Sequence, residues 1–176
     1  MPLVKNAKIT NDLFVHVPDG AELPGNGAIL VSAARFLEDP EAILRRAAKV
    51  GVIWPNNRDL DDLVPYLERL AAVALVFPSF RDGRAYSQAR LLRERHGFDG
   101  ELRATGQVLR DQFLILLRAG FDSFEVLKLA DAQAFEEAVH RYSIFYQPAA
   151  DGELPAFRRR AASQRSGSVR SGAARV

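Results

Sequence analysis

Four short apolar runs alternate with helix-forming stretches along most of this chain, and that alternation limits the fold more than any other feature. The runs are Gly51–Trp54, Ala72–Phe77, Glu101–Thr105 and Ser123–Leu127, recurring at about two dozen residues. The stretches that follow them predict helices over about 60–71, 84–96, 107–119 and 131–143. Strand–helix–strand repetition at this spacing builds right-handed crossovers and a mostly parallel sheet. Two architectures satisfy it. One is an open Rossmann-like or flavodoxin-like sheet with helices on both faces, which the reading favours. The other is a partial βα barrel, since four or five units are about half of a full one.

Local signals refine the outline. A hairpin is predicted at the N-terminus, with strands at 5–9 and 13–17 joined by a turn at 10–12 and closed by Pro18-Asp19-Gly20. Asp39, Pro40 and Glu41 mark a helix start, and that helix is expected to carry Ile43, Leu44, Ala47 and Ala48 as far as Gly51. Pro65 requires its helix to begin near Asp61 or Asp62. Gly97 and Gly120 stand where helices should end, and Asp131 is an expected N-cap. AAVALVF reads as a buried strand and FLILL as part of a buried helix.

At 176 residues and 48% hydrophobic, the chain has material for one α/β domain, placed at residues 1–150. Residues 151–176 are rich in Arg, Ser, Gly and Ala, and are expected to be a disordered tail. Removing the six arginines beyond Leu154 turns the formal net charge from +2 to about −4, so the body is mildly acidic. A solvated extension is the simpler reading of the tail, and nucleic-acid binding through it is not expected. No secretory h-region or membrane-length apolar run is seen, which points to a cytoplasmic protein. With no cysteine, thiolate catalysis, disulfides and Cys-held clusters are excluded. His16, His96 and His140 are far apart and lack metal-binding spacing, so no metal site is expected.

In parallel α/β sheets, ligands meet loops and helix N-termini at the carboxyl ends of strands. The residues placed there include Arg81, Arg84, Arg103 and Lys128, four cations able to frame a small oxyanion. Asp82 would hold one guanidinium, with Ser79, Thr105, Asp111 and Gln112 in support. The plainer alternative pairs these arginines with Asp82, Asp99 and Asp111 to fix loop geometry. Neither a phosphate-binding glycine loop nor a dinucleotide fingerprint is present. The catalytic residues and the cofactor stay unassigned.

The segments FRDGRAYSQARLLRERHGFDGELRATG, QVLRDQ and RAGFDSFEV resemble a bacterial family catalogued as domain of unknown function nine-thirty-four. The matching positions are Phe80, Asp82, Gly83, Arg84, Tyr86 and Ser87, then Gly100 to Ala104 with Gly106, then Val108, Leu109, Asp111 and Gln112, then Arg118 and Gly120 to Asp122. Gln107 departs from the family's usual Asp. The resemblance implies a setting in sulfate assimilation, beside the sulfite reductase haemoprotein and related enzymes. It implies an accessory of sulfite reduction that binds the reductase or a small oxyanion, with Tyr86, Arg90 and their helix as the contact surface. A homo-oligomer is compatible with it. The alternative is an oxidoreductase using a flavin or nicotinamide at the strand ends.

Overall fold

The computed structural model describes residues 2–5, 8–140, 145–146, 148–149 and 154–160. Eight strands form a single sheet: β1 (Leu3–Lys5), β2 (Lys8–Thr10), β3 (Phe14–His16), β4 (Ala28–Ser32), β5 (Val50–Trp54), β6 (Ala72–Phe77), β7 (Glu101–Gly106) and β8 (Ser123–Glu125). Their spatial order is β2-β1-β8-β7-β6-β5-β4-β3. Strands β3 to β8 are parallel and adjacent in chain order, and β1 pairs antiparallel with both β2 and β8. Successive right-handed crossovers that never reverse direction place every connection on one face of the sheet. Such a sheet curls instead of lying open, so of the two architectures the half-barrel is the one observed.

Chain connectivity fixes the curl independently. Laid flat, eight strands spread over about 34 Å at the usual inter-strand spacing. Yet the outermost strands β2 and β3 are joined by only Asn11, Asp12 and Leu13. That link spans at most about 14 Å, so the two edges must bend toward each other.

Alternation along the strands separates two layers. On the convex side Ile29, Val31, Val52, Trp54, Val73, Leu75, Phe77, Leu102, Ala104 and Phe124 join the main core. The helices α1 (Ala33–Glu38), α2 (Pro40–Leu44), α3 (Arg84–Arg90) and α4 (Phe113–Arg118) are the α-helical elements of the crossovers, and α5 (Leu129–His140) follows the last strand. On the concave side Phe14, Leu30, Ala72 and Ala74 form a smaller cluster. Small residues are needed there. A Cβ at Gly51 would stand 2.7 Å from Leu30 Cδ1 and 2.9 Å from Ala72 Cβ.

Several local expectations hold. Asp39 caps α2, its Oδ1 accepting from the Ala42 amide at 2.9 Å with Pro40 in the first turn. Gly97 and Gly120 have φ of 62° and 102°, the left-handed region that glycine adopts without strain. Other expectations are corrected. The N-terminal hairpin is β1–β2, a register earlier than expected; the 13–17 segment is β3, parallel to β4 at the far edge. Phe14 is buried in the concave cluster, which draws that segment away from the hairpin. Helix α2 stops at Leu44, well short of Gly51. The 60–71 helix is reduced to a 3-10 segment, Val64–Arg69, with Pro65 in its first turn. Helix α3 widens into a π-turn at Leu91–Arg95, and α4 is preceded by a 3-10 turn at Arg110–Gln112. Asp131 lies in the first turn of α5, which starts at Leu129.

Of the expected tail, residues 156–160 form a helical turn, and 151–153 and 161–176 lie outside the described residues. The expected end of the last helix, 141–143, does too. No helix among the described residues is long and apolar enough to cross a membrane.

Candidate functional site

Strand β7 reads Glu101-Leu102-Arg103-Ala104-Thr105, and its apolar residues face the helices. Period-two alternation therefore turns Glu101, Arg103 and Thr105 to the concave side, where Ser123 and Glu125 of β8 join them. Arg103 is fully buried. Its Nη1 and Nη2 donate to Asp12 Oδ2 and Oδ1 at 2.6 and 2.8 Å, a two-pronged contact across the curl. Its Nε and Nη2 donate to Glu101 Oε1 at 3.0 and 2.9 Å, and Nη1 to Glu125 Oε1 at 3.2 Å. The guanidinium also lies 5.5 Å from the centre of the Phe14 ring. Around this hub Lys5 Nζ donates to Glu101 Oε2 at 2.8 Å and Ser123 Oγ to Glu101 Oε1 at 2.7 Å. Thr105 Oγ1 donates to Glu125 Oε2, and His16 Nε2 lies 3.2 Å from Glu125 Oε1.

A buried charge is tolerable only when it is paired and hydrogen-bonded, and the cluster meets that condition. Burial alone would raise the Glu125 carboxyl; the hydrogen bonds from His16, Thr105 and Arg103 outweigh it and hold it down at about 2. Burial likewise opposes the charged forms of Glu101 and Asp12. Lys5, Ser123 and Arg103 still lower the first, and Arg103 with the Phe14 amide lowers the second. For Arg103, burial favours the neutral form, but Asp12 and Glu101 keep it protonated beyond its ordinary range.

Donor atoms of Asp12, His16 and Glu125 lie within 4.8 Å of one another, a spacing that suits a cation. The fold thus assembles, from the 12–16 stretch and distant β8, a grouping for which histidine spacing gave no sign. Here the Arg103 guanidinium already bridges Asp12 and Glu125. A further charge about 4 Å from it would meet about 4 kcal/mol of repulsion per unit charge near a protein surface. The guanidinium fills the cation's place.

The four cations proposed for an oxyanion site have divergent surroundings. Arg103 is enclosed within the curl, whereas Arg81, Arg84 and Lys128 are exposed on loops and a helix start. Arg84 is clamped by Asp82, with Nε to Oδ1 at 2.9 Å and Nη2 to Oδ2 at 2.6 Å, and this pair holds the Asp82 carboxyl far below its usual range. The Arg81 guanidinium stacks 5.4 Å from the Phe80 ring centre, and its amide donates to Ser79 Oγ at 3.3 Å. Among the described residues, Arg81 and Lys128 have no carboxylate partner. Thr105 serves the interior cluster instead of the loops. Gln112 ties two loops together, accepting from the Leu109 amide at 3.0 Å and donating to the Phe80 carbonyl at 3.4 Å. Asp111 is exposed; after burial, its charge is the second cause that raises the Tyr86 phenol.

Tyr86 and Arg90 line the same surface groove, of about 560 Å³, with Ile115, Arg118, Phe145 and Tyr146. Tyr86 packs edge-on against Phe77 at 5.2 Å, which fixes its ring on the sheet. The Arg118 guanidinium lies 3.9 Å from the Phe145 ring centre. Ile115 is 59% exposed and Tyr146 79%, so apolar surface lies beside the cations of this groove.

Sequence reasoning missed Lys5, Asp12, His16, Glu101, Ser123 and Glu125. A signal was present: polar residues alternate strictly with apolar ones at 101–105 and 123–125, which marks a second, polar face on strands that otherwise look buried.

The class so defined is a βα half-barrel, singly wound, with an arginine-centred ionic cluster on its concave side. The chain belongs to the family described as bacterial protein of unknown function (DUF934), whose model matches residues 51–157. That span holds the groove and the β7–β8 half of the ionic cluster; Lys5, Asp12 and His16 precede it. No curated protein matches the chain.

Proposed function

We propose that the protein is an accessory of assimilatory sulfite and sulfate reduction that works by binding the sulfite reductase haemoprotein or another enzyme of that route. The metabolic setting rests on the family resemblance. The binding role rests on the groove between α3 and α4, where Tyr86, Arg90 and Arg118 surround exposed Ile115 and Tyr146. Aromatic and arginine side chains around an apolar floor are the composition of protein-binding hot spots. The distribution of cations supports the same reading. Arg103 and Arg84, two of the four cations expected to frame an oxyanion, are committed to carboxylates. For a small oxyanion, the exposed Arg81 and Lys128 are the cations left without such partners.

Native mass spectrometry of the full chain co-expressed with the sulfite reductase haemoprotein tests this. A complex that is lost in Arg90→Glu or Ile115→Asp supports the reading. A free monomer carrying a flavin or nicotinamide favours the oxidoreductase alternative, and an unmodified chain with no partner refutes the accessory role.

A further inference from the structure

The parallel strands β3, β4, β7 and β8 end at His16, Ser32, Gly106 and Glu125, and this carboxyl-terminal rim is the mouth of the half-barrel. On its concave side Ser32, Ile53, Val76 and Thr105 are half-buried, while Leu30, Ala72 and Ala74 below them are sealed. His16 stands at this rim with 47% of its side chain exposed, and its Nε2 is 3.2 Å from a Glu125 that is 7% exposed. Glu125 is itself fixed by Thr105 and Arg103. A histidine whose one nitrogen is anchored by a buried carboxylate has its tautomer set: Nε2 carries the proton and Nδ1 keeps a free lone pair.

We propose that His16, oriented by Glu125, is a general base at the mouth of the half-barrel that activates water against an uncharged substrate with an electrophilic carbon. This site is built by different elements from the groove between α3 and α4, so it goes beyond the accessory reading and stands or falls separately. The charges facing the imidazole determine the substrate class. Asp12 on the β2–β3 link and Glu125 on β8 each bring a carboxylate oxygen within 4.8 Å of an imidazole nitrogen, and the Arg103 guanidinium of β7 bridges the two carboxylates. Two carboxylates against one permanent cation leave a net negative site, which repels anionic substrates and welcomes the imidazolium formed in the reaction. In the step itself, Nδ1 takes a proton from water as the water oxygen bonds to the electrophilic carbon. The leaving group departs with its bonding pair and receives that proton from the imidazolium, which restores neutral His16. Glu125 is a positioning residue throughout.

The test uses the full chain and p-nitrophenyl acetate, a neutral ester. Wild type should hydrolyse it with a normal solvent deuterium isotope effect, the sign of a proton in flight. His16→Asn should lose at least about tenfold of that rate and Glu125→Gln a comparable part, whereas His96→Gln should leave it unchanged. Two-dimensional ¹H–¹⁵N spectra should show neutral His16 protonated on Nε2, a readout that does not require turnover. An unchanged rate in a folded His16→Asn variant overturns the proposal. So does a neutral His16 protonated on Nδ1, or hydrolysis that appears only with added divalent metal and vanishes with a chelator.

Discussion

Acid should weaken this fold earlier and more steeply than an ordinary surface would, because its interior depends on ionised carboxylates. Glu125 titrates at about 2 in the folded protein against an ordinary 4.5. Between those values the unfolded chain binds more protons than the folded one, so stability rises with pH there. The contribution is complete above the unfolded value of 4.5 and is lost as pH falls through about 2. For Glu125 alone it amounts to about 3 kcal/mol at neutral pH. Glu101 and Asp12 are also lowered and add in the same direction. With a urea slope of about 2 kcal/mol per molar for a domain of this size, Glu125 alone displaces the midpoint by about 1.5 M over its full titration. Urea unfolding followed by the fluorescence of buried Trp54 at pH 7, 5, 4 and 3 measures it. The midpoint should hold between pH 7 and 5 and then fall, and Glu125→Gln should flatten that fall. Midpoints that agree within about 0.3 M at pH 5 and 3, or a Glu125→Gln profile parallel to wild type, would refute the reasoning.

Two further perturbations follow from the geometry. Arg103→Met leaves Asp12, Glu101 and Glu125 facing one another with only Lys5 and His16 nearby, and should cost about 3–5 kcal/mol, or about 6–20 °C in Tm by calorimetry. A loss below about 1 kcal/mol would show that solvent reaches the cluster. Gly106 has φ 91° and a Cβ there would sit 2.5 Å from the Phe77 carbonyl oxygen, so Gly106→Ala should cost at least about 2 kcal/mol. Gly83→Ala, whose Cβ would meet only Tyr86 Cδ2 at 3.5 Å, should stay within about 1 kcal/mol of wild type in the same thermal assay.

The strand–helix alternation was legible from apolar runs, and β5, β6 and β7 fall within one residue of the expected bounds. Their spacing states the number of units but not the winding. Whether successive crossovers reverse direction depends on long-range packing, so an open sheet and a half-barrel share one pattern. The concave side shows what that ambiguity hid. In an open sheet helices cover both faces, and Arg103 in a buried strand then looks like a residue bound for the rim. In a curled sheet the same residue turns inward to Asp12, which lies 91 positions earlier in the chain. Arg84 and Asp82, by contrast, are two residues apart, and their pairing could be anticipated locally. His16 and Glu125 carried no spacing signal because the curl alone brings them together.

That curl is best tested by a double-mutant cycle between Asp12 and Arg103, using Asp12→Ala, Arg103→Met and the double variant in urea unfolding at pH 7. The two-pronged contact at 2.6 and 2.8 Å requires the β3 edge to meet β7 across the concave side. A coupling energy of about 1.5–3 kcal/mol is predicted, the double variant losing much less than the two single losses combined. Additive losses, with coupling below about 0.5 kcal/mol, would mean that the edges do not meet in solution and that the sheet lies open.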